Sequence, residues 1–253
     1  MRIDINADVG ESFGAYTIGN DAALMRSITS ASVAAGFHAG DPSVLRQTIR
    51  LAKAHGVAVG AHPGFPDLAG FGRREMRVTP ADAEDVVLYQ IAAVAGVAAA
   101  EGLKIQHVKP HGALYNMAAR DAALAVAIAT AVASVDPSLI LFGLAGSEIL
   151  KAGRAAGLRV ASEVFADRAY EANGSLRART KPGAVIHDLD AVVTRAVRMI
   201  EDHAVEAVDG TVVPLEADTI CVHGDTPGAD VLAAQLRAGL EAAGVLVRPV
   251  GAA

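Results

Sequence analysis

Short apolar runs alternate with longer helical patterns along the whole chain, and this alternation predicts a parallel β/α fold. The runs are rich in Val, Ile and Ala and occupy residues 2–8, 32–38, 56–62, 104–109, 138–144, 159–165, 218–223 and 244–250. Strands that alternate with helices form parallel sheets, and so many units without a linker favour closure into a barrel. At 253 residues the chain can bury one large core, so we expect a single β/α barrel domain over residues 1–253.

Helix starts can also be located in the sequence. A capping side chain precedes a proline at Asp41, Thr79 and Thr226, and proline suits the first position of a helix. Two segments without a clear period, 63–76 and 167–182, are predicted to be loops over the ends of the strands. The first of these is a candidate lid.

Polar residues follow or end most of the predicted strands. Since the carboxyl ends of parallel strands meet at one edge, these residues are expected to converge there. They are Asn6, Asp8, Glu11, His38, His62, Lys109, His111, Glu163 and His223.

The first strand carries polar groups on one face only. Side chains alternate along a strand, so Asp4, Asn6 and Asp8 share one face. Parallel strands are normally apolar on both faces, and this pattern therefore predicts a barrel with a polar interior near its mouth. The same parity places His107 with Lys109. Buried charges need partners, and here they would be one another.

Such a cluster could carry out hydrolysis or proton transfer on a small anionic substrate. Carboxylates can act as general bases and imidazoles as acids or metal ligands, while Lys109 with Arg73 or Arg74 could hold an anion. There are structural alternatives. Asp8 could cap a turn, and His38 and His62 could be hydrogen-bonded core residues.

Composition narrows the partners and the compartment. A net charge of −6 and 4% aromatic residues argue against nucleic acid as a partner. The single cysteine, Cys221, permits no disulfide within the chain and no thiolate zinc site. The N-terminus has no basic leader and no apolar stretch long enough for export or for a membrane span. We therefore expect a cytoplasmic protein without a membrane partner.

Six strings closely resemble the LamB/YcsF family: INADVGESFG, AAGFHAGDPSVL, GAHPGFPDLAGFGRREM, HVKPHGALYN, EVFADRAY and CVHGDTPGA. The resemblance spans nearly the whole chain. It implies a seven-stranded (β/α)7-type barrel similar to those of polysaccharide deacetylases. It also implies a place in the prokaryotic ATP-dependent 5-oxoprolinase, which opens 5-oxoproline to glutamate, with partner subunits B and C and with ATP as cosubstrate, accompanied by Mg²⁺.

This implied reaction suggests a role for each residue of the cluster. The catalytic candidates are Asp8 as the base, His38 and His62 as acids or orienting groups, and Lys109 as the anion-holding group. The substrate-binding candidates are Asn6, Glu11, Arg73, His111, Glu163, Arg168 and His223.

Two other interpretations remain open at this point. Asp8, His38 and His62 offer the oxygen and nitrogen ligands of a divalent metal, as in a metal-dependent, deacetylase-like amide hydrolase. We prefer a site without metal, because HAG and HPG lack the close spacing of helical zinc motifs. Alternatively, the chain could bind substrate while its partners carry out the chemistry.

Overall fold

The computed structural model describes residues 1–252, and within them seven parallel strands close into a barrel. These strands are β1 (Arg2–Val9), β2 (Ser30–Ala34), β3 (Ala58–His62), β4 (His107–Val108), β5 (Ile140–Leu144), β6 (Arg159–Val164) and β9 (Thr219–His223). Three strands lie outside the barrel, namely β7 (Ala204–Glu206), β8 (Val212–Pro214) and β10 (Leu246–Val247). The predicted β/α barrel of seven parallel strands is confirmed.

Helices follow the barrel strands and cover the outside of the barrel. They are α1 (Asp21–Leu24), α2 (Pro42–His55), α3 (Pro80–Ala100), α4 (Gly112–Ala118), α5 (Ala122–Val135), α6 (Glu148–Ala155), α7 (Leu189–Glu201) and α8 (Ala229–Ala242). The apolar face of β1, with Ile3, Ile5 and Ala7, belongs to the buried layer between barrel and helices. Its polar face therefore lines the lumen.

Two of the three predicted helix starts are confirmed, and the third is wrong. The Asp41 carboxylate caps α2 by accepting from the amides of Ser43 and Val44, and Thr79 forms a capping box at the start of α3. Helix α8 begins at Ala229 with Gly228 as its N-cap, instead of after Thr226. Thr226 lies in a turn, where its amide donates to the carbonyl of His223.

Closure of the barrel brings the first and last barrel strands side by side. Strand β9 lies between β6 and β1, and its register pairs Asp4 with Thr219 and Asp8 with His223. Residues more than 200 positions apart in the sequence therefore share one layer of the lumen. This register places Asp8 and His223 together at the carboxyl ends of the strands.

The eighth predicted strand lies beneath the barrel and does not join it. Strand β10 pairs only with the start of β1, with Arg2 opposite Leu246. The chain then continues below the lumen, where Val250 packs against a separate apolar cluster formed by Ile140, Phe142 and Ala161. The amino-terminal end of the barrel is thus filled with apolar side chains.

Two features depart from the sequence-based picture. The antiparallel pair β7 and β8, with three residues in each strand, is not among the strands predicted from the sequence pattern. By length and composition alone, α3 could cross a membrane, and so could α4 and α5 if that bent pair is counted as one span. The buried residues of α3, which include Val87, Ile91 and Val94, recur at the spacing of one helix face, as in a helix that packs on a protein core.

Candidate active site

The lowest polar layer of the lumen is centred on Asp4. Its carboxylate accepts hydrogen bonds from the hydroxyls of Thr29 at 2.6 Å, Ser30 at 2.7 Å and Thr219 at 2.5 Å. Burial raises the pKa of Asp4 to about 6, although these hydroxyls favour the charged form. His107 lies in the lumen as expected, but there it stacks on Phe142 with ring centroids 4.3 Å apart.

Above this layer, the Lys109 ammonium lies in a cluster contributed by four strands. Its Nζ atom is 2.8 Å from Asp8 Oδ1, 2.8 Å from Glu163 Oε1, 3.0 Å from Asn6 Oδ1 and 2.9 Å from Cys221 Sγ. We call these five residues the Lys109 cluster. The Asn6 amide also donates to Glu163 at 2.9 Å, so the cluster is tied together across the lumen.

Charge pairing fixes the ionisation of Asp8 and Lys109. Burial alone would raise the pKa of Asp8, but His62 and Lys109 outweigh burial and hold that pKa well below its ordinary value. Burial likewise opposes the charge on Lys109, but Asp8 and the other anionic neighbours raise its pKa well above the ordinary value. The pair is therefore a carboxylate and an ammonium at neutral pH.

Two neutral groups complete this layer. Burial raises the pKa of the Cys221 thiol well above its ordinary value, although Lys109 acts in the opposite direction. Burial, reinforced by the charge of Glu163, raises the pKa of the Tyr115 phenol. Neither side chain is a nucleophile in this state, and the Cys221 Sγ atom accepts a hydrogen bond from Lys109.

A second group, the histidine cluster, lies beside Asp8 and consists of Glu11, His38, His62 and His111. His62 Nε2 is 3.4 Å from Asp8 Oδ1 and 2.9 Å from Nδ1 of His111. The remaining ring nitrogens of both residues contact backbone carbonyl oxygens, His62 Nδ1 at 2.7 Å from Lys109 and His111 Nε2 at 2.8 Å from Phe71.

The other two members of the histidine cluster lack hydrogen-bond partners among the described residues. Glu11 is 2% exposed and neither of its carboxylate oxygens has a partner, and the same holds for both ring nitrogens of the fully buried His38. Burial, then the charge of Asp8, raises the pKa of Glu11 well above its ordinary value. Burial, with the other imidazoles, lowers the pKa of His38 far below normal and that of His111 to about 3.

Two glycines, Gly64 and Gly72, leave room for the imidazoles to pack this closely. A Cβ at Gly64 would lie 2.5 Å from Nδ1 of His38, and one at Gly72 would lie 2.8 Å from the His111 ring. The side chain of Gln90, on α3, bonds both the amide and the carbonyl of Gly64 at 2.9 Å. The loop that follows His62 is thereby fixed to the outer helix layer.

His223 lies between the Lys109 cluster and the second irregular segment. Its ring stacks on Phe165 with centroids 5.4 Å apart, and its Nδ1 is 3.9 Å from Asp167 Oδ2. Arg168 is placed differently from the other candidates. Its guanidinium donates to the carbonyls of Arg177, inside the second irregular segment, and of Ala184, just after it, so Arg168 holds this part of the chain together.

Arg73 lies at the rim of the mouth. Its guanidinium bonds Asp225 at 2.7 Å and lies 4.9 Å from the centre of the Phe71 ring. This ion pair joins the candidate lid, residues 63–76, to the turn after β9. The exposed fraction of the side chain falls from 38% at Arg73 to 16% at Asp225, 13% at His223 and 7% at Asp8, so the clusters are more deeply buried than the rim.

The structure brings together nine of the eleven candidate residues. Arg73 lies at the rim and Arg168 in the neighbouring segment, whereas the other nine belong to the two clusters or, as His223, adjoin them. Sequence reasoning did not select Tyr115, Asp225 or Gln90. Gln90 could have been found as the polar residue on the buried face of an apolar helix.

Comparisons with known proteins agree over the full length. The model of the LamB/YcsF family matches residues 3–253. A Bordetella pertussis protein that is named as a subunit of 5-oxoprolinase is 56% identical over 246 residues, which cover 97% of this chain and 98% of that protein.

Solved structures give the same picture. The crystal structure of a lactam utilization protein from Thermus thermophilus has a TM-score of 0.93 at 50% identity, covering 98% of this chain and 99% of that one. A structure of a protein from Enterococcus faecalis, with a TM-score of 0.56 at 13% identity and coverage of 97% and 96%, shares the fold alone.

Proposed function

The chain belongs to the LamB/YcsF family, and from this premise we propose that it is one of the subunits of an ATP-dependent 5-oxoprolinase. The enzyme hydrolyses the cyclic amide 5-oxo-L-proline to L-glutamate while ATP is cleaved to ADP and phosphate. The observation that carries the proposal is the Asp8–Lys109 pair, buried with His62 at the mouth of the barrel, in a chain 56% identical to a protein named for this reaction.

The reaction needs both an acid and a base. An unstrained five-membered lactam is a poor electrophile, and phosphorylation of its amide oxygen by ATP would activate the carbonyl carbon for attack by water. A base then accepts a proton from the water, and an acid donates one to the departing ring nitrogen, so that the ring opens to an acyl phosphate. A second water cleaves this acyl phosphate to the glutamate carboxylate and inorganic phosphate. Coupling to ATP makes the overall opening of the ring favourable.

The residues around Asp8 can supply these functions. Asp8 is the proposed base, because it is ionised and retains exposed surface towards the mouth. His62, which contacts both Asp8 and His111, is the proposed acid or orienting group, and His38 supports it from within the histidine cluster. The Lys109 ammonium stabilises negative charge that develops on the substrate.

The rim supplies candidates for binding the substrate carboxylate or a transferred phosphate. Arg73 is an exposed cation beside the clusters, and its partner Asp225 can be displaced by a stronger anion. His223 lies between the rim and Asp8. Arg168 would act indirectly, by ordering the segment that carries Asp167.

ATP, Mg²⁺ and partner subunits B and C complete the proposal. The word subunit in the name of the Bordetella pertussis relative supports a multi-subunit assembly. The resemblance of the sequence motifs supports the nucleotide and the two partners. A buried free thiol at Cys221 is compatible with the reducing cytoplasm that we propose as the compartment.

Reconstitution tests this function. The purified chain is combined with candidate subunits B and C, and glutamate and ADP are measured after addition of 5-oxo-L-proline, ATP and Mg²⁺. We expect stoichiometric formation of both products only when all three proteins are present. Omitting each component in turn defines what the reaction requires.

The same experiment separates the proposal from its alternative. If B and C alone form glutamate at the full rate, this chain is an accessory binding protein and not part of the catalytic machinery. Titration calorimetry of the isolated chain with 5-oxo-L-proline then measures whether it binds the substrate. Absence of glutamate under every combination would contradict the assignment of the reaction itself.

A further inference from the structure

The histidine cluster is a set of buried metal-ligand side chains that the proposed acid–base chemistry does not fully explain. Glu11, His38, His62 and His111 each offer one donor atom, and all four atoms lie within 4.8 Å of one another. All four residues are buried, on loops and strand ends at the same side of the barrel.

Backbone hydrogen bonds fix the orientation of two of the imidazoles. A carbonyl oxygen can only accept, so His62 carries hydrogen on Nδ1, towards Lys109, and His111 carries it on Nε2, towards Phe71. When each ring carries a single hydrogen, the opposite nitrogens are both acceptors. They face each other at 2.9 Å, and a cation, either a proton or a metal ion, must then lie between or beside them.

The other two members point into the same space. Glu11 Oε1 lies 3.6 Å from His38 Nε2 and 3.7 Å from His111 Nδ1. These separations are too long for hydrogen bonds, and within the described chain none of the four atoms of Glu11 and His38 that could bond has a partner. Bonds of about 2.0–2.1 Å to a tetrahedral zinc ion would place ligand atoms about 3.3–3.5 Å apart. Three of the pairs lie at 2.9, 3.6 and 3.7 Å and the others within 4.8 Å, so modest side-chain shifts would close the site on an ion.

We propose that Glu11, His38, His62 and His111 bind one divalent first-row transition metal ion of the zinc type. Three imidazole nitrogens and one carboxylate oxygen suit such an ion, whereas Mg²⁺ prefers oxygen ligands and retains its water. The carbonyl groups of Lys109 and Phe71 orient two of the rings from outside, as is usual for metal-bound histidine.

This ligand set differs from the alternative drawn from the sequence, which was Asp8, His38 and His62. Asp8 Oδ1 already accepts from Lys109 at 2.8 Å, and the ammonium would compete with a metal ion at this oxygen. The same ammonium lies 2.9 Å from Cys221 Sγ, which argues against a second possible group formed by Asp8, Cys221 and His223. The metal would therefore lie beside the Lys109 cluster and outside it, and in the proposed reaction His62 would then be an orienting group and not the acid.

Metal binding by the purified full-length chain tests this inference and does not depend on the reaction. After chelation, the protein is titrated with Zn²⁺ in a calorimeter and with Co²⁺ in an absorption spectrometer. We expect one ion per chain and the visible bands of cobalt in a tetrahedral nitrogen and oxygen environment, without the intense charge-transfer band of a cysteine thiolate. Elemental analysis of the protein as purified gives the resident metal.

Variants identify the ligands. We expect E11Q, H38Q and H111Q each to weaken Zn²⁺ binding by well over a hundredfold, since outer contacts alone change metal affinity about 10–100-fold. H187Q changes a histidine outside both clusters and should bind as the wild type does. D8N should weaken binding by no more than about 10–100-fold, less than the ligand variants, because Asp8 contacts the ligand His62 at 3.4 Å without being a ligand itself.

Three results would overturn the inference. In the first, the folded wild-type chain binds Zn²⁺ or Co²⁺ no more tightly than H111Q does. In the second, E11Q and H38Q retain tight binding. In the third, the cobalt spectrum shows a thiolate band. Circular dichroism of each variant confirms that loss of binding is not loss of folding. A turnover assay that fails while metal binding succeeds would reject the proposed function and leave this site intact.

Discussion

Lys109 Nζ donates to Asp8 Oδ1 at 2.8 Å across the interior of the barrel, and neither side chain exposes more than 7% of its surface. The ammonium lies equally close to Glu163, so one cation neutralises two buried carboxylates. The ammonium is important for the stability of the fold as well as a candidate for catalysis, because two buried carboxylates without a cation would be costly.

Replacement of Lys109 by methionine is expected to destabilise the fold strongly. K109M leaves Asp8 and Glu163 without their cation, and breaking a buried ion pair from one side costs about 3–5 kcal/mol. Urea unfolding at pH 7 measures this loss. K151M removes an exposed partner of Glu148 and should have little effect. Equal stability of the two variants would contradict the buried pairing.

Asp8→Asn is expected to abolish most of the turnover while the chain remains folded. A positioned general base contributes about 10²–10⁴-fold in rate, and the amide cannot accept the proton. Glutamate formation by the reconstituted enzyme is the measurement. D85N, at an exposed position on α3, serves as the control. A D8N enzyme with normal turnover would remove Asp8 from the mechanism.

Asp4 is expected to contribute more to stability at pH 4 than at pH 7. Burial raises its pKa from 3.8 to about 6, so the folded state binds a proton that the unfolded state releases. This contribution is complete below pH 3.8 and is lost as the pH rises through about 6, with a magnitude of at most about 3 kcal/mol.

The D4N variant separates the contribution of Asp4 from those of other titrating groups. Asp8 is one of these groups, and its lowered pKa makes the folded state more stable as the pH rises. The difference in unfolding free energy between D4N and the wild type is measured by urea unfolding from pH 4 to pH 7. We expect the unfolding free energy of D4N to rise relative to that of the wild type as the pH increases. Parallel curves would show that Asp4 does not titrate in this range.

Two glycine-to-alanine changes are expected to alter the stability of the fold in opposite directions. At Gly64 the new methyl group would lie 2.5 Å from His38, and such overpacking typically costs about 1–3 kcal/mol. At Gly96, inside α3, nothing lies within 4 Å of the new atom, and alanine should stabilise the helix by about 0.4–1 kcal/mol. Thermal unfolding of G64A and G96A compares them directly, and a stabilising G64A would contradict the packing of His38.

Much of the barrel could be predicted because each of its strands carries a local signal. The apolar runs, the caps at Asp41 and Thr79, and the polar face of Asp4, Asn6 and Asp8 depend on neighbouring residues only. The pair of short strands β7 and β8 and the position of β10 beneath the barrel depend on pairing with distant segments. Strands β4 and β10 have only two residues each but lie in longer apolar runs, 104–109 and 244–250, whereas no such run marked β7 and β8.

The convergence of site residues was predictable, but their partners were not. Parallel strands explain why Asp8, His62 and Lys109 meet at one end of the barrel. The contact of His62 with His111, and the ion pair of Arg73 with Asp225, depend on loop paths that the sequence pattern does not specify. The bonds of Arg168 to the loop backbone likewise become visible only in the structure.

The apolar side chains of Ile140, Phe142, Ala161 and Val250 close the lumen at the amino-terminal end of the barrel. Substrate would then have to enter at the opposite end, where the ion pair of Arg73 with Asp225 joins the lid to the turn after β9. This pair would have to open before a molecule reaches Asp8, and a partner protein that passes on an activated lactam would have to dock at this rim.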